Sequence, residues 1–214
     1  MGNSWVRIRG GGALIFGLIL SGALALVGCE EEGLPEVTDE EGARVARLGE
    51  AAAGEFQRTL VGRLTAALDE GGAAHAVEFC SNEAIPLTRG VEAGLDGQLR
   101  LKRTSFRYRN LENAPDEAEE MALRYFEDAI LAGGALPSSF VQRVSETELR
   151  YYKPLFVGEF CLQCHGDPEA MEPAVREVIQ ARYPGDLATG YRAGDLRGLV
   201  RVSVPAGTVE AVGG

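Results

Sequence analysis

The chain has 214 residues, a formal net charge of −11, four cysteines and two histidines. An acidic chain lacks the basic surface that neutralises a nucleic-acid backbone, so we expect no nucleic-acid partner. The length and a hydrophobic fraction of 45% allow one domain with a substantial core.

The N-terminus has the anatomy of an export signal. Two arginines precede an apolar run from Ala13 to Val27, and the run ends in the sequence LVGC at Cys29. The run is short for a transmembrane anchor, the alternative, which needs about 20 apolar residues. LVGC resembles a bacterial lipobox, so we predict a lipoprotein signal peptide over residues 1–28 and lipidation of Cys29. Lipidation would anchor the protein at the periplasmic face of the envelope, and Glu30 favours the outer membrane.

An acidic linker over residues 29–39 precedes a long amphipathic helix, which we predict over residues 40–72. Gly71 and Gly72 mark the end of this helix. A narrow apolar stripe of this kind can pack on its own domain or on the same helix of a second copy. We expect it to pack on its own domain. The apolar residues that recur at every fourth position of the helix are Leu48, Ala52, Phe56, Leu60, Leu64 and Leu68.

A second helix is predicted to follow the two glycines and to end just before Pro86. Cys80 lies in the middle of its apolar stripe and therefore faces the core. His75 lies off the stripe, on a more polar flank. The residues at helical spacing in this stripe are Ala73, Ala76, Val77, Cys80 and Ala84.

A strand and a helix are predicted next. Residues 98–109 alternate like a strand, with Leu99 and Leu101 on one face. Pro115 and a run of acidic residues then open a helix, which two glycines close at residues 133 and 134. The residues expected on the buried side of that helix are Ala122, Phe126 and Ile130.

The C-terminal half adds a hairpin, a short helix and a last strand. The hairpin is predicted over residues 140–145 and 148–157, and the helix over residues 172–183. The last strand, residues 198–205, carries three valines on one face. Strands mixed with helices that do not alternate regularly predict an α+β domain with an antiparallel sheet.

The sequence CLQCH, from Cys161 to His165, is compatible with three chemistries. In a c-type haem site, the two thiols bind the porphyrin and the next histidine is the proximal iron ligand. A zinc site would recruit Cys80 and a histidine, but structural zinc motifs usually present two ligand pairs. A disulfide between Cys161 and Cys164 suits an oxidising compartment but does not explain the adjacent histidine. We favour one covalent haem c.

A bound haem usually takes a second axial ligand, and the candidates are His75, Cys80, Met121 and Met171. Periodicity favours Cys80, because it faces the core and His75 does not. A thiolate ligand favours ferric iron, so we expect a low reduction potential.

Four stretches of the sequence resemble a family of exported c-type haem proteins and haem sensor domains, long known as a domain of unknown function. The resemblance implies a PAS-like fold with flanking helices over residues 73–208. It implies one haem c bound at Cys161 and Cys164, with His165 and Cys80 as axial ligands. The four stretches are AVEFCSNEA, KRTSFRYRNLENAPDEAE, YYKPLFVGEFCLQCHG and YPGDLATGYRAGDLRGLVRVSVP.

Two arginines receive a further role. Arg103 and Arg109 either bind the haem propionates or lie on a solvated strand face. No hydrolase or nucleotide-binding motif accompanies them, so we do not expect an enzyme. The resemblance favours redox or gas sensing through an unidentified signalling or redox partner protein. The absence of an attached output module favours the alternative, an electron-transfer cytochrome.

Overall fold

The computed structural model describes residues 34–95 and 98–210. The predicted signal peptide and the lipidation site at Cys29 lie outside the described residues. The first helix, α1 (Asp39–Gly94), begins after Thr38, whose hydroxyl accepts the Glu41 N–H at 3.2 Å. The Glu41 carboxylate in turn accepts the Thr38 N–H at 3.1 Å. This reciprocal pair is a capping box, and it defines the start of the helix.

Helix α1 is broken at the two glycines that the sequence marks as an end. Gly71 and Gly72 have non-helical backbone angles, and Gly72 has φ +72° and ψ −169°, a conformation that favours glycine. The break divides α1 into a first segment, residues 39–70, and a second segment, residues 73–94. The second segment carries Cys80.

The expected stop before Pro86 is wrong, because the second segment continues through Pro86 to Gly94. Proline removes one backbone hydrogen bond, but Pro86 lies on the exposed side, where water can satisfy the freed carbonyl. Leu87 and Val91, one and five residues later, pack against the main core. Packing of these side chains outweighs the local cost of the proline.

Four antiparallel strands form one sheet in the order β1-β4-β3-β2. The predicted hairpin is confirmed, although its first strand is two residues shorter than expected, and the last strand is confirmed. The first strand is shorter than predicted, because Ser105 accepts the Arg107 N–H on its own hydroxyl at 3.1 Å and turns the chain. The strands are β1 (Arg100–Thr104), β2 (Phe140–Arg143), β3 (Glu148–Phe156) and β4 (Leu196–Pro205).

The two faces of the sheet carry different helices. Helix α1 covers the face of the sheet on which Tyr151 of β3 and the valines of β4 lie. These valines share one buried face, as predicted. Helix α2 (Glu117–Leu131) covers the opposite face, where Phe126 packs against Tyr152. Ile130 was expected on the buried side of α2 but is 44% exposed, and Phe126, one turn earlier, is the last buried residue of this helix.

Three short helices complete the fold: α3 (Leu162–His165), α4 (Pro173–Arg182) and α5 (Ala206–Glu210). The predicted α+β class, a PAS-like antiparallel sheet with flanking helices and a long N-terminal helix, is confirmed. Across residues 34–95 and 98–210, every helix is either too short or too polar to cross a membrane.

Candidate functional site

A cavity of about 360 Å³ lies between α1, the sheet and the turn that contains CLQCH. This volume falls in the range of roughly 300–1,000 Å³ that is typical of small-molecule sites. All six described residues that sequence analysis assigned to the site line this one cavity. They come from α1, β1, the segment after β1 and the CLQCH turn, and they are Cys80, Arg103, Arg109, Cys161, Cys164 and His165.

The CLQCH turn is built from a short 3₁₀ turn, Glu159–Cys161, that continues into α3. Cys161 packs against the cluster of Val157 and Tyr191, whereas Cys164 packs against a cluster that includes Val175 and Ile179 of α4. The turn ends at Gly166, whose N–H donates to the Leu162 carbonyl at 2.9 Å. A Cβ at Gly166 would lie 2.6 Å from that carbonyl oxygen, so the closing residue must be small.

The imidazole of His165 has a defined tautomer. Its Nδ1 lies 2.7 Å from the Ala188 carbonyl oxygen, which can only accept, so Nδ1 carries the proton and Nε2 presents a lone pair. Burial and the nearby Arg197 cation lower the pKa of His165 well below its usual range. The ring is therefore neutral near pH 7, the form that binds a metal ion.

Cys80 faces the same cavity from the second segment of α1. Burial raises the pKa of its thiol, and the Arg103 and Arg109 cations oppose that shift. The thiols of Cys80, Cys161 and Cys164 are all free in the structure. Three sulfur atoms and one imidazole nitrogen therefore line a single cavity.

The other three candidate axial ligands lie elsewhere. The His75 side chain is 46% exposed and sits 3.7 Å from the Glu70 carboxylate. Met121 is 56% exposed on α2. Met171 is buried in a separate cluster with Val77 and residues of α4. Of the four candidates, Cys80 alone lines the cavity.

Arg103 and Arg109 have different surroundings. Within the described part of the chain, the Arg103 guanidinium has neither a hydrogen bond nor an ion pair, and burial lowers its pKa. Arg109 forms a two-pronged ion pair with Asp186, in which Nε–Oδ1 is 3.1 Å and Nη2–Oδ2 is 3.0 Å. A partnerless cation in a cavity wall suits an anionic ligand group. Arg109 already has its anion.

Sequence analysis missed Arg197 and Tyr183, which also line the cavity. Arg197 donates to the Arg107 carbonyl at 2.9 Å and to the Ser105 hydroxyl at 3.2 Å. Among the described residues, Arg197 has no carboxylate in ion-pair contact. Both residues fall in YPGDLATGYRAGDLRGLVRVSVP, one of the four stretches that carry the resemblance, but no local spacing marked either as a site residue.

The apolar wall of the cavity comes from the stripe of α1. The early part of the stripe, including Ala52, packs on the sheet, and the later part lines the cavity. The stripe thus serves its own domain, as expected. Three apolar side chains at the cavity are more than 40% exposed and would be covered by a large apolar ligand; they are Val61, Phe156 and Phe160.

Comparisons with known proteins identify a family and a common fold. The sequence matches the Tll0287-like family over residues 51–205. A solved structure, the crystal structure of the cyanobacterial heme-protein Tll0287, matches with a TM-score of 0.57 and 24% sequence identity. The match covers 79% of this chain and 97% of that chain, and at this identity it shows a common fold. No curated protein matches the sequence.

Proposed function

The chain belongs to the Tll0287-like family, and we propose that it binds one haem c and acts in redox or small-ligand sensing. One observation carries this proposal: residues from four separate segments, including three thiols and a neutral imidazole, line one cavity with an apolar wall. The structural relative named above, a heme-protein, supports the cofactor class.

We propose that Cys161 and Cys164 form the two thioether bonds and that His165 is the proximal ligand. The His165 ring supports this role, because its Nδ1 proton is held by Ala188 and its Nε2 is free. Haem iron supplies one-electron redox chemistry and a position for small ligands such as CO or NO. The partnerless Arg103 would hold a propionate of the haem.

Cys80 is proposed as the second axial ligand. Its place in the cavity wall supports this assignment. Burial raises the pKa of the thiol, and the nearby Arg103 and Arg109 cations oppose that shift. A thiolate ligand favours ferric iron, so a low reduction potential is expected. Loss of the Cys80 ligand on reduction would open a position for a small molecule, and that is the basis of the sensing proposal.

Helix α1 connects the proposed ligand Cys80 with the predicted membrane anchor. Its first segment begins at Asp39, directly after the predicted linker from lipidated Cys29, and its second segment carries Cys80. A change at Cys80 would therefore act on the helix that leads to the membrane tether. We propose that the protein is lipid-anchored at the periplasmic face and signals to a separate protein.

Electron transfer is the second candidate function. A net charge of −11 would steer the protein towards basic partners. The exposed Phe156 and Phe160 at the cavity would leave a bound cofactor accessible from outside. A carrier of this kind keeps both axial ligands in both redox states.

Carbon monoxide separates the two candidates. Reduced protein is titrated with CO, and its absorption spectrum is followed beside that of a Cys80→Ala control, which presents an open position. Sensing predicts that the wild type binds CO with the spectrum of the control. Reduced wild type that resists CO at saturation, while the control binds it, would contradict sensing and favour electron transfer.

A further inference from the structure

We propose that Arg109 and Asp186 are positioning residues, which fix the tautomer and orientation of His165 through the Ala188 carbonyl. Where this concerns iron, it rests on the proposed haem site. The placement of the His165 ring itself is a property of the chain and can be tested without a cofactor.

The pair is buried and well formed. The side chains of Arg109 and Asp186 are only 10% and 8% exposed, and they share two hydrogen bonds in a forked geometry. A guanidinium bound in this way has a fixed plane, because both prongs are held by one carboxylate. The remaining donor directions of Arg109 are therefore also fixed.

The second hydrogen of Arg109 Nη2 points at backbone carbonyls near the imidazole. Its Nη2 donates to the Cys164 carbonyl at 2.6 Å, one residue before His165. The same Nη2 lies 3.3 Å from the Ala188 carbonyl, which is the acceptor of His165 Nδ1. One guanidinium thus contacts both the Cys164 carbonyl, next to His165, and the Ala188 carbonyl that accepts from His165 Nδ1.

Asp186 holds the other end of the same peptide segment. Its Oδ1 accepts the Ala188 N–H at 2.9 Å, so residue 188 is fixed through both its N–H and its carbonyl. Two backbone bonds extend the attachment: Tyr191 N–H donates to the His165 carbonyl at 2.9 Å, and Gly190 N–H to Gly166 at 2.6 Å. Hydrogen bonds therefore hold the segment from Asp186 to Tyr191 in place beside the His165 ring.

This arrangement assigns Arg109 a different task from Arg103. A propionate at Arg109 would have to compete with the Asp186 carboxylate, which already occupies both prongs. A carboxylate next to Arg103 meets no such competitor. The two arginines therefore have different roles: Arg103 would contact the bound ligand, and Arg109 positions His165.

Histidine NMR tests the proposal directly, because the full chain contains only two histidines. Ring nitrogens are recorded by long-range ¹H–¹⁵N spectra in haem-free protein labelled at histidine. We expect His165 as a single neutral tautomer with the proton on Nδ1, while exposed His75 serves as an internal reference. Finding the proton on Nε2 in the wild type would overturn the proposal without any variant.

Two variants test the roles of the pair itself. Arg109→Lys keeps the charge but loses the fork, and Asp186→Asn keeps the shape but loses the charge. Each should convert the His165 signal into a mixture of tautomers, with folding checked by far-UV circular dichroism. The matched control is Arg58→Lys, an arginine on α1 whose side chain is 72% exposed and pairs with Glu55 at 2.8 Å; this change should leave the signal unchanged. Unchanged His165 nitrogens in both folded variants would overturn the proposal.

Haem-loaded protein gives an independent readout. Added imidazole competes with both proposed axial ligands for the iron. Cys80 is the same in these variants, so a difference in imidazole affinity reports how firmly the His165 ring is held. Apparent imidazole affinity should rise about 10-fold or more in Arg109→Lys and stay constant in Arg58→Lys. A chain that shows the expected tautomer but never takes up haem would contradict the proposed function and leave the positioning role intact. Equal imidazole affinity in all three proteins would contradict the positioning role.

Discussion

The ring of Tyr151 lies directly on the backbone of α1 at Gly49. A Cβ added at Gly49 would overlap the Cβ and ring atoms of Tyr151, and both residues are buried. The close approach sets the distance between α1 and the sheet. It thereby sets the position of the later α1 residues, such as Leu64, that line the cavity.

Gly49→Ala is predicted to destabilise the protein. Overlap with a buried ring costs roughly 1–3 kcal/mol, which exceeds the gain of about 1 kcal/mol from helix propensity. Gly62→Ala is the matched control, because it lies in the same helix with open space around it and should be stabilising. Urea unfolding measures both free energies. A Gly49→Ala protein as stable as Gly62→Ala would contradict this contact.

Arg103 and Arg109 should respond in opposite ways to the same substitution in haem-free protein. Arg103→Met removes a cation that has no ion-pair partner among residues 34–95 and 98–210, so the free energy of unfolding should rise or stay constant. Arg109→Met leaves Asp186 buried without its cation, which costs about 3–5 kcal/mol. Thermal and urea unfolding compare the two variants. Equal destabilisation would mean that Arg103 has a partner of similar strength.

Glu119 is predicted to be the most sensitive carboxylate on α2. It is fully buried, and it accepts from Lys102 at 2.6 Å, from Thr104 at 3.1 Å and from the Asp116 N–H at 3.0 Å. Glu119→Gln breaks the ion pair and should cost about 3–5 kcal/mol. Glu120→Gln, next to it and half-exposed, should change stability by less than about 0.5 kcal/mol. Similar unfolding midpoints for the two variants would contradict the buried network.

Acid should weaken the attachment of α1 to the sheet. Hydrogen bonds from Lys153 and Tyr151 lower the pKa of Glu50 in the folded protein. The unfolded chain therefore takes up this proton at a higher pH than the folded chain. The stabilisation is complete above the usual pKa of 4.5 and is lost as the pH falls through the lower folded value.

Glu50→Gln tests this linkage. Urea midpoints are compared between pH 7 and pH 3, and the variant should lose less stability over this interval than the wild type. Glu36→Gln, an exposed residue before α1, is the control and should follow the wild type. Parallel curves for wild type and Glu50→Gln would contradict the assignment.

Cys80→Ala should change the ferric absorption spectrum of haem-loaded protein, because it removes the proposed thiolate ligand. His75→Ala should leave the spectrum unchanged, since His75 lies outside the cavity and beside Glu70. Absorption spectra of the oxidised and reduced forms make the comparison. A shift with His75→Ala and none with Cys80→Ala would reverse the assignment of the second axial ligand.

The sequence predicts those features that depend on local spacing. The stripe of α1 and the core-facing position of Cys80 follow from helical periodicity, and the break at Gly71 and Gly72 follows from the tendency of glycine to end helices. The prediction at Pro86 is wrong because Leu87 and Val91 pack against core residues that are far away in sequence. This packing outweighs the local tendency of proline to end a helix. Local patterns cannot include that energy.

The surroundings of His165 show the same limit. CLQCH predicts His165 as an axial ligand from five consecutive residues, but Arg109 and Asp186 contact its surroundings from 56 residues before and 21 residues after. No motif or spacing marks Asp186 as a site residue, and its partner Arg109 lies beyond the end of β1. Their meeting depends on how the sheet brings distant segments together, which no spacing in the sequence encodes.

The most direct test of the central claim is a pyridine haemochrome spectrum of the protein expressed with the c-type maturation machinery. The wild type should give the spectrum of a haem held by two thioether bonds and should keep its haem after denaturation. Cys161→Ser with Cys164→Ser should lose covalent haem. A wild-type protein without covalent haem under these conditions would contradict the account.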